Sequence, residues 1–281
     1  MPSASLLKLS RPRFWIYLIG PVLLGSAAAL TNGGRWSWIA GLVLLVFTFP
    51  ANLFIYGVND IFDQETDALN PKKQGYETQL DPTKTKRILW VCLFGLIPAL
   101  ILFLFLPRTA LIAFLVFLFL GAFYSAPPIR AKAIPFLDAA FNVLYLVPAL
   151  VAWYAFGGGA VNWFYVLAGA AWCMAMHAYS AVPDIEADTK AGLRTIATVL
   201  GKQGTLLLCA FLYGVAAGLV YWRLPGVIPL TLGALYVALM LKSVRTQSPE
   251  ELFRIYTWFP WVNTFVGFSL FWWVIIGWKS L

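Results

Sequence analysis

The chain has 281 residues, of which 61% are hydrophobic and only 11% charged. A soluble globular domain carries about a quarter charged residues, so that class is excluded. Disorder is excluded more firmly, because Phe, Trp and Tyr make up 17% of the chain. A bilayer-spanning helix needs roughly 20 mostly apolar residues. Apolar runs punctuated by Gly, Pro and charge predict nine of them, at 14–30, 36–58, 88–106, 109–124, 136–156, 163–182, 205–222, 226–241 and 256–278. Four junctions, at 31–35, 107–108, 157–162 and 223–225, are short enough for tight turns. The predicted fold class is all-α: one polytopic membrane domain over 1–281, a bundle of nine transmembrane helices.

Charge orients the bundle. All but four of the 20 Lys and Arg fall at the amino terminus or in the junctions after spans two, four, six and eight. The exceptions are Arg35, Arg108, Arg223 and Lys279. The positive-inside rule then places the amino terminus in the cytoplasm and the carboxyl terminus outside, with the cell membrane as the expected location. Arg11 and Arg13 lead straight into the first span, so no cleavable signal is predicted. The 12 acidic residues gather at the same cytoplasmic face, Asp138 being the least obvious of them. Cations and carboxylates on one face suggest a metal and an anion held together. The net charge of +8 is equally consistent with contact to anionic lipid headgroups. Cys92, Cys173 and Cys209 sit inside apolar runs and read as small core residues.

Two acidic motifs occupy matching places. The second span ends in Asn59-Asp60-Ile61-Phe62-Asp63, continuing to Asp67. Residues four apart on a helix differ by about 40° in direction, so Asn59, Asp63 and Asp67 form one stripe with Asp60 beside it. The sixth span ends in Ser180 followed by Asp184, Asp188 and Gly192, and Asp184 and Asp188 again share a face. The segments 59–67 and 180–192 superpose as a weak internal repeat, four spans apart and so on one membrane side. Mg2+ takes oxygen ligands, typically one or two carboxylates together with substrate phosphates. Two such faces suit metals flanking one diphosphate, and acids at the membrane boundary mark functional sites by default.

Cations near those acids fit an anion clamp. After span four the two prolines of Tyr124-Ser125-Ala126-Pro127-Pro128 stop the helix and return Arg130 and Lys132 to the same face. Arg194 and Lys190 follow the second motif; Lys72 and Lys73 follow the first. Arg suits bidentate phosphate contact and Lys supplies a point charge. Lipid-headgroup contact remains the competing role, most evenly for Lys72, Lys73 and Lys190. Asp60 has two readings, metal binding through water or pairing with a nearby cation. His177, the one histidine, lies two turns before Asp184 and is either a hydrogen-bonded core residue or a base.

These residues resemble the UbiA-type superfamily of intramembrane prenyltransferases. Its Asn-x3-Asp-x3-Asp motif matches Asn59, Asp63 and Asp67, its Asp-x3-Asp motif matches Asp184 and Asp188, and its third polar segment resembles 124–132. Within it, the strings 10–15, 59–73 and 183–188 resemble the lycopene elongase branch, which makes C50 carotenoids. The resemblance implies nine helices around a central cavity open to the cytoplasm. It implies Mg2+ on Asp63, Asp67, Asp184 and Asp188, with Asn59 completing the catalytic set. Arg130, Lys132, Arg194, Lys72, Lys73 and Tyr124 would bind the diphosphate. The implied reaction moves a dimethylallyl group from dimethylallyl diphosphate to a polyene such as lycopene, among membrane lipids and without nucleic acid. Phe14, Trp15, Tyr56, Phe62, Tyr124 and Tyr179 are candidates to line a dry pocket for carbocations. An aromatic or quinone-precursor acceptor is the nearest rival, and a transporter of an anionic metabolite the non-enzymatic one.

Overall fold

A computed structural model describes residues 3–64, 83 and 85–277. All regular elements among the described residues are helices. Seven of them are long and apolar enough to cross a membrane, and an eighth if a bent pair is one span. That pair is Leu6–Phe14 and Ile16–Thr31, inclined by 60°. The bend falls where Pro12 removes a backbone donor and Arg11 takes a left-handed conformation, φ 50°. The Trp163–Ala181 helix has 19 residues but is less apolar, since His177, two tyrosines, two tryptophans and Ser180 interrupt its hydrocarbon character.

Proline explains why several expected spans are broken. Pro50 opens a new helix, Pro50–Phe62, directly after Trp38–Thr48, because its fixed φ suits a first turn and its missing N–H is not needed there. Pro98 does the same between Thr85–Gly95 and Ile97–Phe103. The fifth span runs as Leu137–Phe141, a 3-10 turn Asn142–Tyr145, then Val147–Ala155. The seventh helix, Ile196–Arg223, begins nine residues before its expected start. Thr195 and Thr198 cap it reciprocally, and Gly201 interrupts it at φ 66°, ψ 176°. The last predicted span, 256–278, is the helix Phe259–Gly277, and a separate short helix, Pro249–Tyr256, precedes it.

The chain forms two compact units. The first comprises Met1–Arg130, Val147–Ala160 and Gly267–Leu281. Its core is aromatic: Phe103 stacks on Phe114 at 4.3 Å, and Phe47 meets Phe117 edge-on at 5.1 Å. The Ile16–Thr31 helix lies against Val147–Ala155 so closely that a Cβ on Gly25 would overlap the Ala149 carbonyl. Small residues permit such approach where hydrophobic driving force between helices is absent. The second unit comprises Ala131–Leu146 and Val161–Val266. There Trp163–Ala181 packs along Ile196–Arg223, which packs on Val227–Val244. Tyr213 stacks on Tyr236 at 4.3 Å, and the Tyr236 hydroxyl donates to Asn263 Oδ1 at 2.7 Å.

Bulky apolar side chains also cover the outside, Trp38, Trp222, Trp261 and Phe105 among the most exposed. Such a surface is stable against lipid and not against water. The three cysteines are buried and free, as expected of small core residues.

Replacing Gly25 by Val forces a branched side chain onto the Ala149 backbone and is expected to destabilise by about 1–3 kcal/mol. Gly20→Val in the same helix meets nothing within 4 Å and serves as the control. Thermal unfolding of the detergent-extracted protein checks this, and equal midpoints for the two variants would refute the close packing.

Candidate functional site

The first motif sits at the end of the Pro50–Phe62 helix, with Asp63 as its C-cap residue. Asn59 and Asp63 share a face, as their spacing predicts: Asn59 Nδ2 donates to Asp63 Oδ2 at 2.6 Å. The same amide reaches Ser125 Oγ at 2.9 Å, and the Ser125 hydroxyl lies 3.4 Å from Asp63 Oδ2. Ser125 comes from the last turn of the Arg108–Ser125 helix, so two helix ends are tied through one carboxylate. Asp63 and Ser125 are both buried. A buried carboxylate bonded by an amide and a hydroxyl keeps a fixed orientation rather than being left to rotate.

Asp60 takes the second of its two readings. Arg11 Nη2 donates to Asp60 Oδ1 at 2.5 Å, and the same guanidinium lies 4.7 Å from the Tyr56 ring centroid. The amino-terminal segment is thereby fastened to the first motif by a buried ion pair. Asp67, Lys72 and Lys73 lie outside the described residues.

The second motif is less regular than a continuous helix. Trp163–Ala181 gives way to a 3-10 turn, Val182–Asp184, where Pro183 sits, and a short helix, Ile185–Lys190, follows. Asp184 and Asp188 stay one turn apart and half-buried. Glu186, on the other side, is exposed and accepts from Lys190 Nζ at 2.7 Å. That ammonium holds the Glu186 carboxyl below the usual carboxylate range, and it places Lys190 on Glu186 instead of in a clamp. Gly192, at φ 69°, ends the short helix. The Leu193 N–H bonds the Asp188 carbonyl at 2.9 Å and the Gly192 N–H bonds Thr189 at 3.1 Å, a Schellman closure. This turn delivers Arg194 one residue before the capped start of Ile196–Arg223.

Between the motifs in sequence, the chain leaves Ser125 in extended form at Ala126. Arg130, at φ 47°, bonds its N–H back to the Ala126 carbonyl at 3.0 Å and exposes its side chain. Lys132 is buried. Among the aromatic candidates, Tyr179 is fully buried, with its hydroxyl 3.0 Å from Ser243 Oγ and its ring against Phe259. It packs the second unit and lines no open face. Tyr56 carries Arg11, Trp15 donates its indole N–H to the Ser10 carbonyl at 3.0 Å, and Phe14 and Phe62 stay partly open. Tyr124 is half-buried beside Ser125.

Sequence reasoning did not single out Ser125 or Arg11, and it left Asp138 without a role. Asp138 is fully buried. Its Oδ1 accepts from the Ala139 N–H at 2.9 Å and its Oδ2 from the Ile196 N–H at 2.7 Å. His177 Nε2 stands 3.6 Å from the same Oδ2.

Among the described residues no three of His, Cys, Asp and Glu gather closely enough to form a protein-only metal cage. The donor chemistry nevertheless fits Mg2+, which binds through one or two carboxylates and completes its shell with water and phosphate oxygens. Asp63, held by Asn59, and the adjacent pair Asp184 and Asp188 are hard oxygen donors of that kind.

Ser125→Ala removes one partner of the Asn59 amide and one neighbour of Asp63. It is expected to raise the Mg2+ concentration for half-maximal activity roughly 10-fold, the low end for residues that orient a metal ligand. A Mg2+ titration of isolated membranes checks it; an unchanged midpoint would mean that Ser125 does not orient Asp63.

The UbiA prenyltransferase family model matches residues 18–275. The lycopene elongase/hydratase of Haloarcula japonica is 40% identical over 267 residues, covering 93% of this chain and 88% of that protein. The 4-hydroxybenzoate octaprenyltransferase of Paracidovorax citrulli is 28% identical, covering 97% of this chain and 92% of that one. In fold, a UbiA homologue from Archaeoglobus fulgidus solved with DMAPP and Mg2+ aligns with a TM-score of 0.71 at 22% identity, over 96% of this chain and 98% of that chain. A helical membrane chain with these two acidic motifs, matched from near its first span into its last, belongs to the UbiA prenyltransferase family.

Proposed function

We propose that this prenyltransferase elongates a carotenoid, moving a dimethylallyl group from its diphosphate to the end of lycopene or a closely related polyene. The observation that carries the reading is the 40% identity, sustained along 93% of the chain, with a lycopene elongase/hydratase. The 4-hydroxybenzoate enzyme, which stands for the aromatic-acceptor rival, reaches 28% over a similar length. Family membership sets the transporter reading aside.

Asp63, Asp67, Asp184 and Asp188 are the residues that would hold Mg2+. Bound there, the metal would supply positive charge that neutralises the diphosphate and makes it a better leaving group. Asn59 keeps the Asp63 carboxylate oriented. Arg130, Lys132, Arg194, Lys72 and Lys73 share the remaining phosphate charge, with Tyr124 alongside. The allylic C–O bond breaks with its electron pair leaving on the diphosphate oxygen. The terminal double bond of the acceptor then attacks the allylic carbon, forming the new C–C bond and a tertiary cation. That cation loses a proton or captures water. Apolar spans keep bulk water from the intermediates, which it would quench. The cation-rich face supports placing this chemistry at the cytoplasmic side of the cell membrane, with the amino terminus inside and the carboxyl terminus outside.

Expressed in a lycopene-producing bacterium, the chain is expected to yield pigments heavier by one and two C5 units. Mass analysis of extracts reads this directly, and unchanged lycopene would overturn the acceptor assignment. Asp63→Ala and Asp184→Ala are each expected to lower prenyl transfer by about 100-fold or more, the scale of losing a preorganised electrostatic partner. Chelation with EDTA should abolish it, and added Mg2+ should restore it. Alkaline phosphatase fused after Gly159 is expected to be active and after Lys190 inactive; the reverse pattern would invert the topology.

A further inference from the structure

A tertiary cation formed by C–C bond formation becomes an alkene by giving a proton from the adjacent carbon to a base, and a base fixed beside it favours that outcome over capture of water. On the reading proposed above the motif carboxylates would hold the metal, and they lie at the ends of their helices. A suitable base sits deeper. His177 and Asp184 are seven residues apart, nearly two helical turns, which puts them on one side of the chain with His177 roughly 10 Å further into the apolar span. Ser180 lies between them on that side. His177, Ser180 and Asp184 are all half-buried, whereas Ala178, Tyr179 and Ala181 are buried against neighbours. The accessible strip of this helix thus runs from the second motif to the imidazole.

Asp138 is built to serve that imidazole. Its carboxylate is pinned by the Ala139 and Ile196 N–H groups, the latter at the start of a 28-residue helix. Asn142 Nδ2 holds the Asp138 carbonyl at 2.8 Å. Such a carboxylate cannot swing away, and it faces His177 Nε2 at 3.6 Å. An uncompensated imidazolium inside a span is costly; beside a fixed buried carboxylate it is not.

We propose that His177 is the proton acceptor that closes the reaction, with Asp138 as its positioning residue. The inference rests on the elongase reading above. A C–H bond on the carbon adjacent to the tertiary cation breaks, and its electron pair becomes the new C=C bond. The proton goes to an imidazole lone pair. The imidazolium charge is balanced by Asp138 until the proton passes to water or to the released diphosphate.

The test follows product partition in membranes supplied with dimethylallyl diphosphate, Mg2+ and lycopene. In His177→Gln the ratio of elongated alkene to elongated tertiary alcohol is expected to fall 10-fold or more, with pyrophosphate release falling much less. Asp138→Asn keeps an oxygen for the Ile196 N–H but removes the charge, and should shift the ratio the same way. An unchanged ratio in both variants, or alkene, alcohol and pyrophosphate falling in parallel, would overturn the proposal and leave the pair a structural fastening. Wild-type protein that releases pyrophosphate but leaves lycopene unextended contradicts the acceptor reading instead. The same variants are then compared for isoprene against dimethylallyl alcohol formed from the donor alone, where equal ratios would overturn the role of His177.

Discussion

A carboxylate at the edge of hydrocarbon costs several kcal/mol unless something compensates its charge, and in each of the two compact units the acidic residues are organised by the partners that hold them. Asp63 is held by Asn59 and Ser125, Asp60 by Arg11, Asp138 by two backbone N–H groups and His177, and Glu186 by Lys190. Three of these four partnerships join chain segments that are distant in sequence. Each is therefore a tie between helices as well as a local neutralisation. In the Arg11–Asp60 pair, removing the guanidinium leaves the Asp60 carboxylate buried without its counter-charge, which costs more than the pair itself contributes.

Much of this was legible in the sequence. The four-residue spacing of Asn59 and Asp63 became a 2.6 Å hydrogen bond, because side chains one turn apart on a helix meet whatever surrounds them. The same rule put Glu186 away from Asp184 and Asp188. Proline positions foretold interruptions in principle, yet hydropathy alone read through Pro50 and Pro98, since an apolar run continues across a break that costs it no hydrophobicity. The early start at Ile196 was missed for the opposite reason: the helix opens on a Thr-x-x-Thr cap and is broken at Gly201 before its apolar run begins, so its start lacks the apolar signature of a span.

Long-range partners were not legible. Arg11 and Asp60 are 49 residues apart, and Asp138 and Ile196 are 58 apart. No local period links them, and the Ile196 partner is a backbone N–H that any residue but proline would offer. Asp138 looked incidental because its value lies in where the fold carries it. Ser125 was visible only as part of a proline-rich stretch; its contribution appears once the end of its helix is seen beside Asn59.

The division of the polar groups has a chemical logic. Ionisation of an allylic diphosphate needs concentrated positive charge at the oxygens and as little water as possible at the carbon. A protein that mixed both along its spans would quench the cation it makes. Here the cations and carboxylates keep to the helix ends, and the interior beyond them is supplied by alanine, leucine and aromatic rings, with Phe47, Phe103, Phe114 and Phe117 filling one core and Tyr213 with Tyr236 another. Exceptions among the described residues include Asn52, whose Nδ2 donates to the Phe47 and Thr48 carbonyls of the preceding helix, Asn263, bonded to Tyr236, and Asp138, bonded to Ile196. A titratable pair retained among them, at a depth where charge is costly, is hard to account for by packing alone. An apolar residue of similar volume would fill the same space with no ion to compensate.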